Sequence, residues 1–158
     1  KRKTLPLQSQ IKNISVMNYS EIKNIITLAN NYGIDTRELY DNIVNESEDF
    51  EVDNYRFIKE DEALNEAVNM YKGDNYLLGC FNDWFIADNT NIPLRAVQAL
   101  QKAEAFEELG ELIQENDLDA FIEEYARLDG WGHVFGSYDG SNDEVTVNDE
   151  NYIVFRVN

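Results

Sequence analysis

Carboxylates dominate the chemistry this chain can do. Glu104, Glu107, Glu108, Glu111 and Glu115 recur at spacings of three and four. On one helix that spacing lines them along a single face, with Phe106, Leu109 and Ile113 on the apolar side. The pairs 104–108, 107–111 and 111–115 are like-charge neighbours, and each costs roughly 0.2–0.5 kcal/mol. A helix that needed only to be soluble would alternate Glu with Lys and turn the cost into a small gain. Here only Lys102 lies near. At the helical rise, Glu104 and Glu111 stand about 10 Å apart, and adjacent carboxylates roughly 5–6 Å apart. That is the order of the charge spacing along a nucleic-acid strand; duplex DNA carries one charge per ~1.7 Å of axis over both strands. A second set, Asp119, Glu123 and Glu124, follows on the next expected helix. A third runs through Glu46, Glu48, Asp49, Glu51 and Asp53, and a fourth is Glu60, Asp61 and Glu62. Such arrays either imitate a phosphate backbone, and so occupy the basic groove of a nucleic-acid-binding protein, or form the solvated face of an acidic protein.

Other constellations point less far. His133 is the single histidine, and Ser137 and Asp139 lie near it in the glycine-punctuated stretch Trp131–Gly140. The residue types allow a catalytic triad, but no Gly-x-Ser-x-Gly elbow accompanies them, and turns account for the glycines. Asp139, Ser141, Asp143 and Glu144 offer oxygen ligands in the manner of a calcium loop, with Glu150 at the twelfth position. Glu144 stands where that loop requires glycine, and the flanks read as strands. Ala29, Gly33, Ile34 and Leu39 match the core spacing of a helix-turn-helix. Its recognition helix would hold Arg37 against Asp35, Glu38 and Asp41, a poor set for a phosphate-lined groove. Cys80 is alone, beside Phe81 in an apolar stretch, and is expected to be a buried, inert thiol. One Cys and one His exclude an internal disulfide and a structural zinc site. No glycine-rich phosphate loop is present, and no cofactor is expected.

Composition narrows the classes. The chain has 158 residues, 43% hydrophobic and 12% aromatic, which suffices for a core. Its formal net charge is −18, unevenly placed. Residues 1–37 carry Lys1, Arg2, Lys3, Lys12, Lys23 and Arg37 against Glu21 and Asp35, so the remainder holds −22. Self-repulsion of this size opposes compaction, and phosphates would be repelled, so direct nucleic-acid binding is not expected. No apolar run approaches the ~20 residues of a membrane span. The basic start has no apolar run behind it, as a secretory signal would. A cytoplasmic protein without membrane contact is the expectation.

These residues need elements to position them. Residues 1–16 are basic, carry Pro6 and show no periodicity, whereas Met17–Ser20 reads as a start followed by a helix cap. Residues 1–16 are expected to be an extension or an added remnant, and 17–158 one acidic domain. Ser20 would cap a helix bearing Ile22, Ile25, Ile26 and Ala29, ended by Gly33. Asp35 or Thr36 would cap a second with Leu39 and Ile43. Residues 45–53 read as an acidic connection, and Tyr55–Ile58 as a strand. A third helix spans about 61–72, with Leu64, Ala67, Val68 and Tyr71 on one face and Gly73 as its stop. Residues 75–88 read as one buried helix. Residues 93–115 read as helical, with a break near Ala105 or Gly110, and 118–128 as another helix stopped by Gly130. Glu144–Val147 and Tyr152–Val157 read as a hairpin. The fold class is α+β: a helical body of five to six helices with a small antiparallel sheet at the C-terminal end.

In size, charge and the Glu104–Glu115 stripe, the chain resembles the small acidic proteins that phages and mobile elements direct against restriction enzymes and CRISPR effectors, several of which are DNA mimics. The resemblance implies a protein-binding inhibitor with no catalytic residues. Its partner would be a basic nucleic-acid-binding protein or defence complex in the host cytoplasm, held through the first three acidic sets. Two other readings compete. One is a structural or regulatory module that binds through Trp84, Phe85, Trp131 and Phe135; the other is a helix-turn-helix DNA-binding regulator.

Overall fold

The computed structural model of the chain describes residues 17–157. The basic segment 1–16 lies outside the described residues. Helix α1 (Tyr19–Tyr32) begins at Asn18, not at Ser20. The Asn18 side chain accepts from the Glu21 N–H at 3.1 Å, and the Glu21 carboxylate accepts from the Asn18 N–H at 2.6 Å. This reciprocal capping box satisfies two free donors at once, which Ser20 cannot do from inside the first turn. Gly33, at φ 67°, ends α1 as expected. Asp35 then caps α2 (Thr36–Val44) by accepting from the Glu38 N–H at 2.8 Å.

Four strands follow an α+β plan: β1 (Asp49–Val52), β2 (Tyr55–Lys59), β3 (Asp143–Val147) and β4 (Glu150–Arg156), in the order β1-β2-β4-β3, antiparallel throughout. The C-terminal hairpin is present, turning through Asn148 and Asp149 at φ 53° and 68°. Two left-handed residues are the requirement of a tight turn that matches strand twist. The sheet is not confined to the C-terminal end, however, because β2 pairs with β4 at its centre. Residues 45–53 are not merely a connection. Phe50 and Val52 are buried and alternate with exposed Asp49 and Glu51, which is the period of a half-buried strand.

Between the two hairpins runs the helical body: α3 (Glu60–Tyr71), α4 (Asn75–Gly79), α5 (Asp83–Asn89), α6 (Leu94–Lys102), α7 (Phe106–Gln114), α8 (Leu118–Asp129) and α9 (Trp131–Val134). Nine helices therefore stand among the described residues, where five to six were expected. Two breaks and a one-turn helix account for the excess. Residues 75–88 are not one buried helix, because Asp74 caps α4 and Asn82 caps α5, cutting the apolar run in two. Tyr76, Leu77 and Trp84 in this run are exposed. The 93–115 stretch breaks at Ala103–Ala105, while Gly110 lies inside α7.

The sheet is a middle layer. Phe50, Val52, Phe57, Tyr152 and Val154 pack under Ile25, Ala29, Leu39 and Ile43 of α1 and α2. On its other face Ile58, Ile153 and Phe155 meet Ala63 of α3 together with Trp131 and Phe135. Beyond them the helical body has its own core around Leu78, Ile86, Val97, Leu109, Phe121 and Ile122. Helices α4 and α7 touch backbone to backbone there. A Cβ at Gly79 would overlap the Phe106 carbonyl, and a Cβ at Gly110 would overlap the Asn75 carbonyl. The Gln114 amide also donates to the Asn75 side chain.

Candidate functional site

Helix α7 turns Leu109, Gly110 and Ile113 inward and leaves Glu107, Glu108 and Glu111 exposed, with Glu115 exposed at its C-cap. The acidic stripe expected from the spacing therefore exists from Glu107 to Glu115. Glu104 is not part of it, because it belongs to the turn that ends α6. There the Ala105 N–H donates to Leu100 O at 3.0 Å and the Glu104 N–H to Gln101 O at 3.0 Å. This pair of bonds wraps the helix terminus around a left-handed residue, and Glu104 adopts φ 58°. Glu46 repeats the arrangement after α2: Ser47 N–H donates to Asn42 O at 3.1 Å, Glu46 N–H to Ile43 O at 3.0 Å, and Glu46 has φ 55°.

Glu46, Glu104 and Glu115 thus occupy helix C-terminal ends, where unpaired carbonyls already concentrate negative charge and a cation would be favoured. Glu46 and Glu104 also hold a backbone conformation that glycine adopts at no cost. None of the three has an ion-pair partner among the described residues.

The other acidic sets divide. On α8, Asp119 and Glu123 are exposed, whereas Glu124 receives two hydrogen bonds from Arg127 at 2.6 Å each. Those bonds hold the Glu124 carboxyl below its ordinary range. On the sheet, Asp49 takes a fork of two bonds from Arg56 at 2.8 and 2.6 Å. The Arg56 guanidinium also lies 5.4 Å from the Phe135 ring centroid. Asp53 accepts from the Asp35 N–H at 2.9 Å and ties the first hairpin to the α1–α2 corner. Glu48 and Glu51 are exposed without an ion pair among the described residues. Two regions result. The Glu107–Glu123 carboxylates ride on the helical body, where α7 packs on α4 and α6. The Glu46–Asp53 set rides on the edge strand β1 and its flanking turns, against β2 and α2.

The remaining motifs resolve into local structure. His133 Nδ1 pairs with Asp129 O at 2.7 Å, the Ser137 hydroxyl donates to Ser141 O at 3.1 Å, and Asp139 accepts from the Ser141 N–H and hydroxyl at 3.0 and 2.6 Å. No hydrogen bond joins His133, Ser137 and Asp139 among the described residues. The Ser141 contacts hold the Asp139 carboxyl below its ordinary range. Asp143 accepts from the Tyr32 hydroxyl at 2.8 Å. No group of three His, Cys, Asp or Glu side chains placed to hold a metal ion gathers among the described residues. The helix-turn-helix spacing does yield a helical hairpin, with Ala29, Ile34 and Leu39 buried at the corner. The expectation of a buried thiol fails: Cys80 caps α4 and is exposed, because the helix ends there. Of the aromatic anchors, Trp131 and Phe135 pack against the sheet and Phe85 stacks on Phe81, which leaves Trp84 at 60% exposure. No helix among the described residues is long and apolar enough to cross a membrane. Comparison with protein-family models, curated proteins and solved structures gives no match.

Proposed function

We propose that this chain is a protein-binding inhibitor whose carboxylates stand in for the phosphates of a nucleic acid. The observation that carries the reading is the exposed row Glu107, Glu108, Glu111 and Glu115, with Asp119 and Glu123 exposed on α8, none of them ion-paired among the described residues. The chain pairs Asp49 and Glu124 with arginines, so pairing is within its reach; among the described residues the row goes without. Glu115 carries the row into a helix end that disfavours it, and Glu104, outside the row, holds a like position after α6; this is the pattern expected where function competes with stability. The partner is a basic nucleic-acid-binding enzyme of a restriction or CRISPR type. Its Lys and Arg side chains would meet the row, with association speeded by electrostatic steering and weakened by salt.

The test sets Glu107→Lys, Glu108→Lys and Glu111→Lys together against an equal charge change at the scattered, exposed Asp41, Asp88 and Glu144. The first set should abolish inhibition of a partner recovered from host lysate by salt or duplex-DNA elution; the second should only dull it. Equal losses from both sets would refute a specific surface. One observation favours a second reading: Trp84 is 60% exposed, as an aromatic anchor would be. Partner binding indifferent to salt and to competing DNA would choose that reading.

A further inference from the structure

A groove of about 430 Å³ opens on the helical body between α4, α5 and α8. Its floor is aromatic: Phe81 and Phe85 stack with centroids 5.7 Å apart, and Tyr125 meets Phe81 edge-on at 4.8 Å. Tyr71 closes one end, its hydroxyl donating to Val134 O at 3.0 Å. Leu77 and Leu128 form the lips and are 42% and 55% exposed. Tyr76 and Trp84, on the same helices α4 and α5, are 55% and 60% exposed. A shallow groove whose leucine lips are this exposed suits a macromolecular occupant better than a small ligand, which a pocket would enclose.

The groove also has an electrostatic sense. Asp129 lines it at the carbonyl end of α8, where a helix favours cations. Burial, and then the Asp129 carboxylate, push the Tyr125 phenol up, which places that charge beside the floor. Asp129 has no ion pair among the described residues. An aromatic floor between two leucine lips, with a carboxylate at one end, is complementary to an amphipathic helix whose polar face is basic. We propose that this groove docks such a helix from a partner protein, with aliphatic side chains on the Phe81–Phe85 floor and a lysine or arginine at Asp129. The inference goes beyond the phosphate-mimic reading and stands without it, because none of its residues belongs to the acidic row.

Cys80, the single cysteine of the sequence, lines the groove, is exposed, and reports its occupancy. The probe is a synthetic peptide of leucine and lysine at helical spacing, added to the full chain while iodoacetamide alkylates Cys80. Bound peptide should slow alkylation about tenfold. Leu77→Ser with Leu128→Ser, which leaves the charge unchanged, should weaken peptide binding about tenfold and abolish the protection. Asp129→Asn should weaken it a few-fold. Glu107→Gln, Glu108→Gln and Glu111→Gln together should leave the protection intact, so the two readings fail separately. Alkylation at the free rate with peptide bound would overturn the proposal, leaving the peptide on the acidic surfaces. Alkylation that slows with protein concentration, without peptide, would overturn it in favour of a second copy of this chain.

Discussion

At the scale of single residues, the two left-handed glutamates are the clearest strain among the described residues. A non-glycine residue in this conformation costs about 1 kcal/mol, and the negative end of a helix dipole adds to the cost at Glu46 and Glu104. Glu104→Gly is therefore expected to stabilise the fold by about 1 kcal/mol, and Glu46→Gly by a similar amount, as read from the midpoint of urea unfolding. If Glu104→Gly leaves the midpoint unchanged or lowers it, the strain argument is wrong. The same two residues show what spacing alone can deliver. Glu104 falls in step with Glu107, Glu108 and Glu111 along the sequence. The chain nevertheless leaves the helix at Ala103, and only the bonds to Leu100 and Gln101 reveal it. The Glu124–Arg127 pair, three apart on one helix, carried a signal in its spacing. The Asp49–Arg56 pair did not, since it depends on the register of a hairpin whose first strand passes for a connection.

At the scale of elements, glycine decides how α7 is held. The contact of α4 with α7 leaves no room for a methyl group at Gly79 or Gly110, and backbone carbonyls on the facing helix cannot rotate aside as a side chain could. Gly110→Ala should cost roughly 2–3 kcal/mol and displace the glutamate row with its helix. Chemical denaturation gives the first effect and loss of partner inhibition the second; a stable, fully active Gly110→Ala chain would contradict the packing. In the sequence, Gly110 reads as a place to break a helix, since a buried close approach and a flexible break use the same residue. The stops at Gly33 and Gly130 and the cap at Asp35 were legible because each acts through its neighbours in the chain. The α+β class was legible for the same reason, from periods within short windows. The partition of 75–88 turns on Asn82, whose side chain accepts from Trp84 and Phe85 N–H at 3.0 and 3.3 Å and begins α5 amid apolar residues. There hydrophobicity masks a cap. The groove was illegible, since its lining is drawn from three helices and the closing Tyr71.

At the scale of the whole molecule, charge opposes the fold. A formal −18 on a chain of this size is a standing repulsion that added salt relieves, since the screening length falls from about 30 Å at 0.01 M to about 3 Å at 1 M. Sodium chloride over that range should raise the melting temperature by about 5 °C or more, each kcal/mol regained being worth roughly 2–4 °C. A melting temperature that is flat or falls with salt would mean that the carboxylates are held apart well enough not to repel. The sheet has a consequence in time as well as in energy. Its central pairing, β2 with β4, joins residues about 95–100 apart, as in Phe57 with Val154. A ribosome adding roughly 5–20 residues per second needs about 5–20 s to cross that interval. Throughout it the nascent chain carries half a sheet, with the inner edge of β2 open and Phe57 and Ile58 without their covering strand. The first hairpin must wait for the last, and a nascent-chain chaperone that shields an open strand edge has its opportunity in that interval.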